Sequence, residues 1–222
     1  MGLPKAEEVL REAMAMGADN GILVTDRVLG GADTWATSQT IAGAIRNLDY
    51  DLIITGRQAI DGDTAQVGPQ ISEHLGIPVI SYDRMVNNAN TDLYISFDNR
   101  KVGEIMAQAL VNALPQGGDV FMIQGSSSDN NVQMVKQGFD DMLADTDLHV
   151  VYEANCDGWT AELAAGYVEE ALEKYPHVKG IMCGNDDIAS QVVQVLAENQ
   201  LAGNVVVVGQ DGDLAACQRI VE

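Results

Sequence analysis

Apolar residues follow two alternating spacings along the chain. Short β-branched runs are typical of buried strands, and the longer segments between them repeat their apolar residues every three or four positions, as helices do. In the first part of the chain this pattern predicts three strands, each preceded by a helix. The predicted strands are 21–25, 51–55 and 78–82.

The helices of this first part are marked by residues that begin or end a helix. Pro4 suits a first helical turn, and Gly17 is placed to end that helix. Asp33 or Thr34 is predicted to cap the second helix through a side-chain oxygen. Gly76 is expected to close the third helix, since glycine adopts the left-handed backbone of a helix end.

A polar, asparagine-rich stretch at 83–92 has no hydrophobic period and is predicted to be a hinge or boundary. We therefore predict two domains, 1–85 and 86–222. In the second domain, strands and helices alternate again, five of each. The strands are 93–97, 119–124, 149–154, 178–184 and 204–209, and the helices are 101–114, 129–144, 160–174, 186–198 and 213–221.

This order of elements predicts an α/β fold with two Rossmann-like, flavodoxin-like lobes. Strands that alternate with helices form parallel sheets covered on both faces. The second lobe has enough strands for a complete sheet. Three strands are few for an independent sheet, so the first lobe is expected to be truncated.

The composition narrows the classes of function. With 46% hydrophobic and 20% charged residues, the chain has the make-up of a soluble protein with a packed core. Its net charge of −21 disfavours nucleic acids and anionic membranes as partners, because like charges repel. No apolar run approaches the roughly 20 residues that cross a bilayer, so membrane insertion is not expected.

The three cysteines and three histidines are scattered along the sequence. No pair has the spacing of a metal site, and an odd number of distant cysteines does not form a disulfide framework, so neither is expected. The first residues are charged and lack the apolar segment of a signal peptide. The chain as written is therefore predicted to stay in the cytoplasm.

Polar residues gather where the predicted strands end. Ligands of open parallel sheets bind at these carboxyl ends. Carboxylates and amides offer the donors and acceptors that a polyhydroxylated ligand needs, although each residue alone is more readily explained as a helix cap or turn. The strand-end residues are Asp83, Arg84, Asp98, Asn99, Asp129, Asn130, Asn131, Asn155, Asp157, Trp159, Asn185, Asp186, Gln210, Asp211 and Asp213.

No general base stands beside a nucleophile in the predicted arrangement. Ser126, Ser127 and Ser128 follow a strand, but no histidine lies at a strand end that would bring it close to them. The sequence therefore predicts a binding protein rather than an enzyme, without catalytic residues.

A second candidate site is the loop from Gly56 to Gln66, between a strand and a helix. Glycine followed by the backbone amides of a helix N-terminus suits a phosphate group, and Arg57 adds a positive charge. Two aspartates in the loop oppose a bare anion. A turn in which Asp63 or Thr64 caps the next helix explains the loop without a ligand, and we favour that interpretation over nucleotide binding.

Three segments stand out in the first domain: 6–19 (AEEVLREAMAMGAD), 31–38 (GADTWATS) and 50–70 (YDLIITGRQAIDGDTAQVGPQ). Together they make residues 1–78 resemble an internal part of the electron transfer flavoprotein beta subunit, especially its flavin-bifurcating branch. The resemblance implies a site for the phosphate of AMP or FAD, and an alpha subunit as partner. The implied nucleotide-binding residues are Thr34, Thr37, Gly56, Arg57, Gln58, Ala59, Asp61, Gly62, Asp63, Thr64 and Gln66.

The rest of the chain carries different motifs: PVISYDRM at 78–85, LYISFDN at 93–99, DNN at 129–131, GND at 184–186 and GQDGDLA at 209–215. Through them, residues 77–222 resemble the periplasmic D-xylose-binding protein of bacterial ABC transporters, which has a type I periplasmic-binding-protein fold. The resemblance implies a non-enzymatic pentose-binding protein without a cofactor. The implied sugar-binding residues are Asp83, Arg84, Asp129, Asn131, Trp159, Asn185 and Asp211.

The two resemblances meet near residues 75–80. We interpret the chain as a chimera, engineered or misassembled, in which parts of both families are missing. Pentose binding is then expected to be weakened or lost. The alternative function is an AMP- or FAD-binding fragment, and the thin first lobe, with exposed strand edges, favours a homodimer.

Overall fold

The computed structural model describes residues 1–56, 65–86 and 90–221. It divides the chain into two compact units, Met1–Ile95 and Ser96–Glu222, called unit 1 and unit 2 below. The division falls later than the expected boundary at 85/86. The reason is that the strand beginning at Leu93 pairs with the strand before it and so belongs to unit 1.

The described helices of unit 1 are α1 Glu7–Ala15, α2 Thr34–Ile45 and α3 Val67–Leu75, with short 3-10 turns at Pro4–Ala6 and Arg27–Leu29. Asp33, rather than Thr34, caps α2. Its Oδ1 accepts a hydrogen bond of 2.8 Å from the backbone N–H of Ala36. Gly76 ends α3 in the left-handed conformation with a φ of 68°, as expected.

The sheet of unit 1 consists of two short parallel strands, β1 Ile80–Tyr82 and β2 Leu93–Ile95. The strands predicted at 21–25 and 51–55 are wrong, because neither run joins a sheet within the described residues. Leu52 and Ile54 are 73% and 86% exposed. A β-branched run needs a neighbouring strand to satisfy its backbone and an opposing layer to bury its side chains. In the described part of the chain the run at 51–55 pairs with no strand, and these two side chains stay in solvent.

Unit 2 contains a four-stranded parallel sheet in the order β4–β3–β5–β6. The strand predicted at 93–97 does not join this sheet as a fifth strand, because it pairs with β1 in unit 1 as β2. The strands are β3 Gly118–Gln124, β4 Leu148–Asn155, β5 Gly180–Cys183 and β6 Val206–Val208. The helices are α4 Asn99–Ala113, α5 Asn130–Leu143, α6 Leu163–Lys174, α7 Asp186–Glu198 and α8 Leu214–Val221.

The central strand β3 sends side chains into two separate cores. Phe121 and Ile123 lie in the core that includes residues of α6 and α7, whereas Val120 and Met122 lie in the core that includes residues of α4 and α5. All four side chains are fully buried. Helices therefore cover both faces of the sheet, and the predicted α/β fold with parallel sheets is confirmed.

Helices α4 and α5 approach each other through two glycines. A Cβ atom on Gly103 would overlap the carbonyl oxygen of Val135, and one on Gly138 would overlap the carbonyl oxygen of Arg100. The absence of both side chains lets the two backbones touch. Helix α5, packed in this way against α4, begins directly after Asp129, one of the predicted sugar-binding residues.

Candidate functional site

The most compact cluster of predicted ligand-binding residues lies where β3 and β4 end in unit 2. Asp129 caps α5: its Oδ1 accepts a hydrogen bond of 2.9 Å from the backbone N–H of Asn131. Its Oδ2 accepts a hydrogen bond of 3.2 Å from the indole Nε1–H of Trp159. Asp129 is 4% exposed. One buried carboxylate therefore both begins a helix and holds an indole ring.

The position of Trp159 depends on a glycine. The residue ends a 3-10 turn, Asp157–Trp159, and has a left-handed backbone with a φ of 59°. Its ring lies against Gly125, the residue after β3, and a Cβ on that glycine would overlap the ring. Because the indole is only half-buried, part of its surface stays accessible at the strand ends.

The loop after β3 is tied to the loop after β4 by polar contacts. Asp157 Oδ1 accepts hydrogen bonds from the backbone N–H and the hydroxyl of Ser127, at 3.0 and 2.8 Å. These two bonds, the backbone bond above all, hold the pKa of the Asp157 carboxyl below its ordinary value. The backbone N–H of Gly158 donates to Ser126 Oγ at 3.3 Å. The turn that carries Trp159 is thus fixed to its neighbour.

The ends of β5 and β6 form a second part of the same sheet edge. Asn185 caps α7, with its Oδ1 accepting a 2.9 Å hydrogen bond from the backbone N–H of Ile188. Asp186 is buried, and its Oδ2 accepts from the backbone N–H groups of Gly212 and Asp213, both at 2.9 Å. A single buried carboxylate therefore fixes the loop after β6 against the start of α7.

Asp211 sits in that fixed loop with an unusual backbone. Its φ of 103° is one that residues with a side chain rarely adopt, at a cost of about 1–3 kcal/mol. Neighbouring bonds impose the conformation, since Gln210 Nε2 donates to the carbonyl oxygen of Gly184 at 2.6 Å and Asp186 holds the residues that follow. Asp211 is exposed at the carboxyl end of the sheet.

Two members of the predicted sugar-binding set, Asp83 and Arg84, lie in unit 1 after β1. Asp83 has a φ of 62°, and its Oδ2 lies 3.5 Å from Arg84 Nε. The hydroxyl of Tyr94 donates to the Asp83 carbonyl oxygen at 3.0 Å. The structure therefore brings Asp129, Asn131 and Trp159 together, places Asn185 and Asp211 along the same sheet, and leaves this pair in the other unit. That all seven bind sugar stays a prediction.

Sequence analysis missed Gln124, the last residue of β3. Its side chain is buried, and its Oε1 accepts no hydrogen bond within the described part of the chain. The sequence did contain one indication, because Gln124 is a polar residue that directly follows the buried apolar residues of a predicted strand. A buried oxygen without a partner costs free energy, so such a residue at a strand end is a candidate ligand contact.

The predicted nucleotide-binding set lies in unit 1 and is described only in part. Thr34 Oγ1 donates to Gln66 Oε1 at 3.2 Å, which joins the starts of α2 and α3. Thr37 lies one turn further along α2, and Gly56 is exposed. The other predicted members lie outside the described residues: Arg57, Gln58, Ala59, Asp61, Gly62, Asp63 and Thr64.

The described residues offer little for metal or thiol chemistry. No group of three or more metal-binding side chains occurs among them. Burial raises the pKa of the Cys156 thiol to about 11 and also raises the pKa of Cys183, whereas Cys217 is exposed. None of the helices in this part of the chain is both long enough and apolar enough to span a bilayer.

Comparison with known proteins gives one family match and two sets of relatives. A family profile described as "Periplasmic binding protein domain" matches residues 5–222. The D-xylose-binding periplasmic protein of Haemophilus influenzae is 40% identical over 151 residues, 66% of this chain and 45% of the relative. The electron transfer flavoprotein subunit beta of Clostridium acetobutylicum is 51% identical over 119 residues, 52% of this chain and 46% of the relative.

A solved structure matches nearly the whole chain. It is an ABC transporter solute-binding protein from Mycobacterium smegmatis with bound glycerol, with a TM-score of 0.70 and 25% identity, covering 98% of this chain and 72% of that one. The two curated relatives match different parts of the chain, as the two resemblances predicted. The chain spans just under half the length of each of them.

Proposed function

The chain belongs to the periplasmic binding protein domain family, and on that premise we propose that it binds a pentose of the D-xylose type without catalysing a reaction. The family and its xylose-binding relatives support a small-molecule, sugar-binding module. The observation that carries the finer proposal is the contact between the indole of Trp159 and the buried carboxylate of Asp129, at the carboxyl end of β3.

The chemistry of this edge suits a sugar. An indole ring covers the C–H face of a pyranose, while carboxylate and amide oxygens accept hydrogen bonds from its hydroxyl groups. Asn131 and Asn185 add amide groups that both donate and accept, and Asp211 adds an exposed carboxylate. The caps and loop contacts described above hold these residues in place before a ligand arrives, which lowers the entropy lost on binding.

We expect the affinity to be low. The match covers 45% of the xylose-binding relative, and the proposed chimera keeps only the sugar contacts that lie inside that match. Losing three or four hydrogen bonds of about 1 kcal/mol each would weaken binding by roughly hundreds-fold. That Asp83 and Arg84, which lie in unit 1, also bind the sugar stays a prediction of the sequence resemblance.

The test is a thermal-shift series with D-xylose at tens of millimolar, because a ligand that binds only the folded state raises its melting temperature even when it binds weakly. We expect a small upward shift that Trp159→Ala abolishes. Trp35→Ala is the matched control, since it removes the other tryptophan, in unit 1, and should leave the shift unchanged. Each variant is compared with its own ligand-free melt.

Two results would contradict this proposal. A shift that persists in the Trp159→Ala variant would show that the indole is not part of the site. The absence of a shift with any pentose would show that the protein does not bind this class of sugar. Calorimetry that gave a sub-micromolar dissociation constant would leave the site intact but overturn the weakened affinity.

The two sets of relatives favour a chimeric origin for the chain, with a part similar to the electron transfer flavoprotein beta subunit joined to a part similar to a sugar-binding protein. The alternative function that follows is AMP or FAD binding in unit 1. The observation in its favour is the Thr34–Gln66 hydrogen bond, which joins two residues of the predicted nucleotide set.

Bound nucleotide is tested on the purified protein. A yellow colour or an AMP peak in a denatured extract would support the alternative function, and the absence of both after incubation with each nucleotide would exclude it. Self-association is a separate proposal that rests on the exposed apolar side chains of unit 1, among them Leu3, Val9, Leu52 and Ile54. A purely monomeric mass in light scattering would overturn it.

A further inference from the structure

A separate cavity lies entirely within unit 1. Its volume is about 460 Å³, which falls in the range of roughly 300–1,000 Å³ that is usual for small-molecule sites. Helices α2 and α3 and the segment before β2 form its walls. The lining residues that matter here are Trp35, Gln66, Gln70, Glu73, Asn90 and Asp92.

Trp35 provides an aromatic surface in this cavity. The centroid of its ring lies 4.4 Å from that of His74, with the two planes inclined by 59°. The contact supports the indole from one side, yet the residue stays 47% exposed. An accessible indole beside a cavity attracts a cation or the apolar face of a ligand.

The charge of the residues that line the cavity indicates which kind of ligand it favours. Glu73 and Asp92 contribute carboxylates, and no Lys, Arg or His is found among the lining residues that the structure describes. Asp92 is fixed, because its Oδ2 accepts a 2.8 Å hydrogen bond from the backbone N–H of Val79. The whole chain carries a net charge of −21, which adds to the local negative potential. The described part of the lining therefore favours a cation over a phosphate.

Gln66 and Gln70 add hydrogen-bonding groups. The Oε1 of Gln66 accepts from the hydroxyl of Thr34 at 3.2 Å, which orients its amide. The buried Oε1 of Gln70 has no hydrogen-bond partner within the described part of the chain. A ligand with an N–H donor that reached this oxygen would supply the missing bond.

We propose that this cavity binds a small organic cation with N–H donors, a guanidinium or a primary ammonium, which stacks on Trp35 between the carboxylates of Glu73 and Asp92. The proposal is independent of the sugar site, because every residue it uses lies in unit 1 and it needs neither Asp129 nor Trp159.

The probe is butylguanidinium, with butylurea as its uncharged counterpart of nearly the same shape. The titration uses Trp159→Phe protein, in which Trp35 is the remaining tryptophan, so that its fluorescence reports only on this cavity. We expect a saturable change in fluorescence with butylguanidinium and at least about tenfold weaker binding of butylurea, because only the former carries a charge.

Three variants separate an effect on binding from an effect on the structure. Glu73→Gln should weaken butylguanidinium binding about fivefold, whereas Glu8→Gln, the same charge change on an exposed position of α1, should leave it unchanged. Gln70→Leu should weaken binding without lowering the melting temperature, since the oxygen it removes has no protein partner to lose.

The proposal is overturned by equal responses to butylguanidinium and butylurea, by equal effects of the two glutamate variants, or by the absence of a saturable response. A response to AMP that exceeds the response to butylguanidinium would also overturn it and would favour a nucleotide in unit 1.

Discussion

Unit 2 buries its sheet between two layers of helices, whereas the strands of unit 1 lie largely in contact with solvent. In unit 2 the side chains of Phe121, Ile123 and Ile181 are completely buried. In unit 1 the run at 51–55, which was predicted to be a strand, is also rich in apolar residues, yet Leu52 and Ile54 are exposed. The two units are thus built from similar sequence patterns but differ in how many neighbouring strands and helices each pattern has.

This difference shows what an apolar run needs to become a strand. In unit 2, β3 has a partner on both sides, β4 and β5, and these partners satisfy its backbone groups while α4 to α7 cover its faces. Among the residues that the structure describes, the sheet of unit 1 has two strands and no inner strand, so its stability rests on few contacts. Unit 2 is expected to be the stable part of the protein and to carry the sugar site.

Truncating matched isoleucines is expected to give the largest contrast between the units. Ile181→Ala leaves a cavity in the core of unit 2 and should lower the free energy of unfolding by about 4 kcal/mol. Ile54→Ala removes an exposed side chain and should change it by less than about 0.5 kcal/mol. Urea denaturation followed by circular dichroism measures both, and equal losses would contradict the contrast.

A smaller contrast is expected from matched helical glycines. Gly138→Ala places a methyl group against the Arg100 carbonyl oxygen and should destabilise unit 2 by about 3 kcal/mol. Gly43→Ala in α2 meets no atom within 4 Å, and alanine favours a helix, so this change should stabilise unit 1 by about 0.5–1 kcal/mol.

Thermal melts of the two glycine variants show directly whether each substitution raises or lowers the stability of the protein. Gly166→Ala, in α6 of unit 2, also meets open space and is the control for position. If it destabilised the protein as much as Gly138→Ala, the close approach of α4 and α5 would not be the cause.

A still smaller effect is expected from pH. Burial raises the pKa of Cys156 from its ordinary 9.0 to about 11. Below pH 9.0 this thiol is protonated in the folded and unfolded states alike, but between pH 9.0 and 11 only the unfolded state releases the proton. The free energy of unfolding should therefore fall over that window by up to about 1.4 kcal/mol per pH unit from this group.

The readout is the slope of stability against pH rather than its absolute value. Cys156→Ala should reduce that slope, although Cys183, whose pKa burial also raises, keeps part of it. Cys217→Ala is the control, because this cysteine is exposed. A slope that Cys156→Ala leaves unchanged would contradict the role of burial.

Local signals in the sequence were enough to predict most of the helices. The helix predicted at 186–198 is α7 with the same bounds, because a capping residue, Asn185, precedes a regular apolar face. The predicted strands at 21–25 and 51–55 failed because strand formation depends on partners distant in sequence. For the same reason, the strand predicted at 93–97 for the sheet of unit 2 pairs instead in the sheet of unit 1.

The sequence pattern predicted where Asp129 lies in the fold, but not the arrangement of residues around it. The position of Asp129 after a strand followed from the pattern, and so did its suitability as a helix cap. Its bond to Trp159 joins residues 30 positions apart and requires that Gly125 have no side chain, which no local pattern reveals. Gln124 was missed because a single polar residue in an apolar strand gives no periodic signal.

Hydrogen–deuterium exchange of the whole chain, with and without D-xylose at tens of millimolar, tests the central claim most directly. We expect slow exchange in β3, β4 and β5, faster exchange throughout unit 1, and added protection with xylose at residues 125–131 and 156–160, where Gly125, Asp129 and Trp159 meet. Equal protection of the two units, or xylose-dependent protection in α2 and α3 instead, would contradict the account.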